Sequence, residues 1–159
     1  MNQPENNIDK DTLRGFNESP KIKRIICETQ GSIFRCANEL KLDMDVFAPK
    51  YMMSNFCERN MDIAWSYFQM ADAEECLDFI LPEIEVPKLE SPRYDSSVIE
   101  WVGYMYRYLY YGLKKTSKEI IKKVPFNSML VYYPGLHTED EDMAVDIIRS
   151  DNFKESSDY

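Results

Sequence analysis

Carboxylates three residues apart on a helix share a face and can hold a hard cation with the phosphates it carries. The chain has two such sets, Glu74-Glu75-x-x-Asp78 and Glu139-x-x-Asp142. Two such sets facing each other could hold magnesium together with the phosphates of a nucleotide. About sixty residues separate the two sets, Glu139 to Asp142 double as first-turn helix residues, and no basic phosphate grip accompanies them. His137 is the only histidine, which excludes two-histidine metal sites within one chain. No phosphate-binding glycine loop, dinucleotide fingerprint or nucleophile elbow occurs. Cys27, Cys36, Cys57 and Cys76 form no C-x-x-C, and three of them fall among apolar helical positions. They read as free thiols of a reducing compartment.

The densest chemistry is of another kind. Residues 101–111, Trp-Val-Gly-Tyr-Met-Tyr-Arg-Tyr-Leu-Tyr-Tyr, carry six aromatic side chains. Aromatic rings give large contact area at low entropic cost, so such a segment serves as a core helix or as a binding face. Trp101, Tyr104, Tyr108 and Tyr111 share one helical face and are expected in the core. Tyr106 and Tyr110 lie away from it and, with Arg107 and Tyr104, are candidates for contact with a partner.

Charge is distributed unevenly around a net −9. Residues 57–87 hold eight acids against Arg59, residues 101–123 six bases against Glu119, and residues 138–159 eight acids against two bases. So acidic a chain does not bind nucleic acid through a general field, while its acidic faces steer toward basic partners. Glu74, Glu75 and Asp78 are therefore candidates for a partner surface, and His137, next to the start of a helix, joins them. No apolar run approaches the roughly 18 residues of a membrane span, and the polar, acidic N-terminus is not a signal peptide.

The elements that must position these groups are helical. Five glycines in 159 residues and repeated i, i+3, i+4 apolar spacing argue an all-α single domain of six or seven short helices. Residues 1–18 read as a loose, disordered arm. Ser19-Pro20 starts the clearest amphipathic helix, with Ile22, Ile25, Ile26, Ile33, Phe34, Ala37 and Leu40 on its apolar side. Asp45 and Asp72 read as caps of two further helices, and a third stretch over 61–70 contains Ile63, Trp65, Tyr67 and Phe68. Pro82, Pro87 and Pro92 make residues 82–96 an extended connection and possible subdivision, with room for a short strand over 84–86. Ser97-x-x-Glu100, Thr116-x-x-Glu119 and Thr138-x-x-Glu141 read as capping boxes. Pro134-Gly135 reads as a helix stop. The helical domain thus covers 19–150, and 151–159 is a polar tail.

The ordered set Ser117-Lys118-Glu119-Ile120, Phe126, Tyr133, Leu136-His137-Thr138 and Asp146-Ile147 resembles a small bacterial family of uncharacterised helical proteins. Its members are commonly encoded beside ADP-ribosyltransferase-like toxin genes and are taken to be the antitoxins. The likeness spans residues 97–148, and residues 101–108 resemble an extension of its longer members. Glu139-Asp140 replace the glycine usual after L-H-T, and the first ninety residues have no counterpart in the short members. The resemblance implies a non-enzymatic, cytoplasmic protein without cofactor that binds and masks a cognate toxin. Two alternatives belong to other classes: a magnesium-dependent nucleotide pyrophosphohydrolase built on Glu74, Glu75 and Asp78, and an acidic phage-type inhibitor that mimics nucleic acid.

Overall fold

A computed structural model describes residues 9–153, and among these the architecture is all-α. In chain order the helices are α1 (Lys10–Leu13), α2 (Pro20–Glu39), α3 (Met44–Met52), α4 (Ala73–Ile80), α5 (Ser96–Leu113), α6 (Ser117–Lys123), α7 (Phe126–Leu136) and α8 (Glu141–Asn152). Between α3 and α4 lie a π turn, Cys57–Met61, and a 3-10 turn, Tyr67–Met70.

The frame is the pair α2 and α5. Ser19 caps α2 by accepting from the Ile22 N–H, with Pro20 in the first turn. Ile26, Cys27, Ile33, Phe34 and Ala37 enter the core at helical spacing. The two helices approach closely because Gly103 of α5 meets Phe34 and the Gln30 carbonyl. A Cβ there would lie 2.6 Å from Phe34 Cγ and 2.8 Å from Gln30 O. Helix α4 packs on α2, and α6, α7 and α8 pack on α5.

Several boundaries differ from the expectation. Asp43 and Asp95, two residues upstream of the expected caps Asp45 and Ser97, and Asp140, two residues downstream of the expected cap Thr138, supply the capping carboxylates of α3, α5 and α8. The Thr116–Glu119 capping box forms as expected. Pro134 and Gly135 lie inside α7 rather than ending it. In the supposed arm, residues 10–13 are helical and Phe16 is buried, its ring 4.8 Å from that of Tyr110. Residues 1–8 and 154–159 lie outside the described set, and the expected tail begins as the last turn of α8.

Residues 84–86 form no strand. The connection instead bonds its backbone to the end of α2, through Asp43 N–H to Pro87 O and Leu89 N–H to Lys41 O. Its Glu83 carboxylate accepts from the Asn55 and Phe56 N–H groups. Among the described residues no helix is long and apolar enough to cross a membrane.

Candidate protein-binding surface

Three of the expected partner-contact residues are inside the protein. Tyr106, Arg107 and Tyr110 are each 0% exposed. The tyrosine hydroxyls are satisfied by backbone carbonyls, Tyr106 donating to Val124 O and Tyr110 to Arg14 O. Of the face expected in the core, Tyr111 is buried, whereas Trp101, Tyr104 and Tyr108 are half-buried. The buried arc of α5 runs through Ile99, Gly103, Tyr106, Arg107 and Tyr110, and the charge of Arg107 concealed it from the sequence.

Arg107 is the centre of a polar hub. Its Nη1 donates to Asp62 Oδ1 at 2.7 Å and to Met61 O at 3.3 Å. Nη2 donates to Ser117 Oγ and Gln30 Oε1, Nε also reaches Gln30 Oε1, and the guanidinium carbon stands 4.6 Å from the Tyr110 ring centroid. Ser117 closes the loop by donating its N–H and its hydroxyl to the two oxygens of Asp62. Gln30 is fixed by the Tyr51 hydroxyl and by its own amide donated to Gly103 O. Burial works against the Arg107 charge, but the Asp62 carboxylate overrides it and keeps the group firmly protonated. Cys57 is 3.3 Å from Arg107 Nη2, and burial, reinforced by Asp62, pushes its thiol up to about 11.

The hub ties α5 and α6 to the segment between α3 and α4. From Met61 and Asp62 the chain continues into a loop held by Ala64 N–H to Leu13 O and by the Gln69 amide, which donates to Ile63 O at 3.0 Å. Ser66 and Gln69 form a capping box around the 3-10 turn, so residues 61–70 do not make the amphipathic helix that their apolar spacing implied.

That turn displays its aromatic groups outward. Trp65 is 71% exposed, Tyr67 58%, Met70 50% and, from α4, Phe79 58%. They are not loose. Phe68 packs 5.1 Å from Phe56 of the core, and both Tyr67 and Phe79 pack on Phe68, at 5.4 and 4.9 Å. Single exposed apolar residues need no explanation, but Tyr67 and Phe79 adjoin over Phe68, and Trp65 and Met70 are exposed within three residues of Tyr67 along the same segment, a density of the kind that marks an interaction site.

Its flank is acidic. Residues 67–86 contain Asp72, Glu74, Glu75, Asp78, Glu83 and Glu85 and no lysine or arginine. Glu75 accepts the Tyr67 hydroxyl at 2.8 Å, and that bond raises the phenol above its ordinary value. Glu74, Glu75 and Asp78 therefore stand beside an aromatic patch. Among the described residues no three His, Cys, Asp or Glu side chains converge as a metal site. The two carboxylate sets remain on separate supports, α4 against α2 and the start of α8 against α5. Tyr108 also donates its hydroxyl to Asp142.

The other two expected contact residues, Tyr104 and His137, line a separate groove between α5, α7 and α8. The sequence signal that was available for the exposed patch was Ser66-x-x-Gln69, a helix-start signature that places Trp65 before the first helical residue. Comparison with family models, with curated proteins and with solved structures finds no match to this chain.

Proposed function

We propose that this protein is a non-enzymatic, protein-binding module that covers a basic surface of its partner with the patch formed by Trp65, Tyr67, Met70 and Phe79. One observation carries the reading: Trp65, Tyr67 and Phe79 stand exposed on a turn, the residues just before it and the adjoining helix, and that helix has acids and no bases. Tryptophan and tyrosine are the residue types that dominate binding energy when a partner desolvates them. The carboxylates on α4 raise the encounter rate with a positively charged partner and fix its orientation. The resemblance of residues 97–148 to antitoxins makes a toxin with a basic, nucleotide-handling cleft the partner to try first.

The test is capture from the native cell at low salt, followed by affinity measurement with variants. Trp65→Ala with Phe79→Ala should weaken the complex by at least about 2 kcal/mol, roughly thirtyfold in Kd. Glu74→Lys with Asp78→Lys should slow association and flatten its salt dependence. A companion whose affinity is unaffected by both double variants would reject this surface.

A further inference from the structure

The groove between α5, α7 and α8 has the components of a cation-binding corner. Trp101 and Tyr104 come from α5, Tyr133 and His137 from α7, and Glu100 and Glu141 stand at the rim; no lysine or arginine lines it. The groove is shallow and open to solvent, with room for about 350 Å³. Trp101 and Tyr133 meet at 79° with centroids 5.6 Å apart, which makes two walls of a corner. His137 stacks on Tyr133 at 4.2 Å, and its Nδ1 lies 2.8 Å from Tyr133 O, so the α7 wall is fixed.

The two carboxylates are not equivalent. Glu100 is paired with Arg35 at 2.8 Å, whereas Glu141 has no cation partner among the described residues. The half-buried Tyr104 is raised above its ordinary value by burial and by the Glu141 carboxylate beside its hydroxyl, so it remains a phenol. A corner of aromatic faces with one uncompensated carboxylate attracts a cation through the ring quadrupoles and favours one that carries its own apolar surface.

We infer that the groove lined by Trp101, Tyr104, Tyr133 and His137 binds an alkylated ammonium group, with Glu141 as its counter-charge. The site is independent of the exposed patch on residues 65–79 and would stand if that reading failed. The cation is a free quaternary ammonium compound or the methylated lysine of a polypeptide; both present the same chemistry to the corner.

Trp65→Phe leaves Trp101 as the sole tryptophan and hence a direct reporter. In that background, choline chloride is titrated against fluorescence with sodium chloride as the ionic-strength control. In parallel, 3,3-dimethylbutanol supplies the same shape without the charge. Saturation by choline and not by the neutral analogue is the expected result. Glu141→Gln, which preserves shape, should weaken choline binding by about threefold to thirtyfold. Tyr133→Leu provides a second variant, expected to lose saturation while keeping the far-ultraviolet spectrum. A short peptide with one trimethyllysine distinguishes the sources: saturation below the choline concentration places the cation on a protein, and choline binding as well or better makes it a free compound. No saturation by either up to roughly 100 mM, or equal response to the neutral analogue, overturns the inference.

Discussion

Replacing Asp62 with asparagine tests the polar hub most sharply. Arg107 is 0% exposed and the Asp62 side chain 6%, with 2.7 Å between them. Asp62 accepts from Arg107 Nη1, Ser117 N and Ser117 Oγ, using both oxygens. Asparagine has one acceptor oxygen and turns an N–H₂ toward a donor whichever way it is oriented. It also leaves the guanidinium without a counter-charge inside the protein. Breaking a buried pair in this manner costs about 3–5 kcal/mol, a large part of a total near 5–15 kcal/mol. With a slope of about 2 kcal/mol per molar, the urea midpoint should fall by roughly 2 M. Urea is the denaturant of choice, because guanidinium chloride would also screen charge. Arg107→Met should cost a similar amount by stranding the carboxylate, and the double variant should cost well under the sum. A loss below about 1 kcal/mol for Asp62→Asn, or strict additivity in the cycle, would refute the hub as an interdependent unit.

Four further outcomes follow from single sites. Gly103→Ala should cost about 1–3 kcal/mol by chemical denaturation, since its Cβ falls 2.6 Å from Phe34 Cγ. Gly135→Ala, a helical position with nothing within 4 Å, should instead stabilise by about 0.4–1 kcal/mol. Thiol titration of the native protein at pH 8 should give one fast cysteine, removed by Cys36→Ser. Cys57 and Cys76 are pushed up to about 11 and 12, chiefly by burial, and Cys27 is raised further by the same cause. Glu119 is held below its ordinary 4.5 by hydrogen bonding at Thr116, so its folded value lies below its unfolded one. Its contribution is therefore present above about pH 4.5 and lost as the pH falls through the lowered value, and the stability gap to Glu119→Leu should close over that acid window.

How far the sequence revealed this arrangement depended on whether a pattern had one structural solution. Helix α2 was legible because Ser19, Pro20 and the isoleucine spacing all point to one start and one buried face. Three other helix starts were misplaced by two residues, α3 and α5 toward the C-terminus and α8 toward the N-terminus, each time because a nearby aspartate supplies the cap. Residues 61–70 matched a helix by apolar spacing alone, although Ser66 and Gln69 start a separate 3-10 turn within them and the Asp62 bonds bind the preceding loop to α6. That single difference takes Trp65 out of the expected helix and puts Tyr67 at the start of an exposed turn, and with them the main candidate surface.

The error on α5 has one cause and shows what the hub does. Taking Arg107 as a marker of the surface rotates the buried arc away from Tyr106 and Tyr110, whereas Gly103, one turn before Arg107, marks the true contact with α2. Helix α5 is apolar enough to pack in more than one rotation, because rings occur around most of its circumference. A guanidinium that must meet Asp62, Gln30 and Ser117 together permits only one of them. A buried ion pair adds little net stability over apolar residues of similar volume. Its use here is selection. By fixing the rotation of α5 it sends Trp101 and Tyr104 to the outer groove, and by gripping Met61 and Asp62 it sets the loop that presents Trp65. Both candidate surfaces thus depend on the same buried charge, although neither touches it.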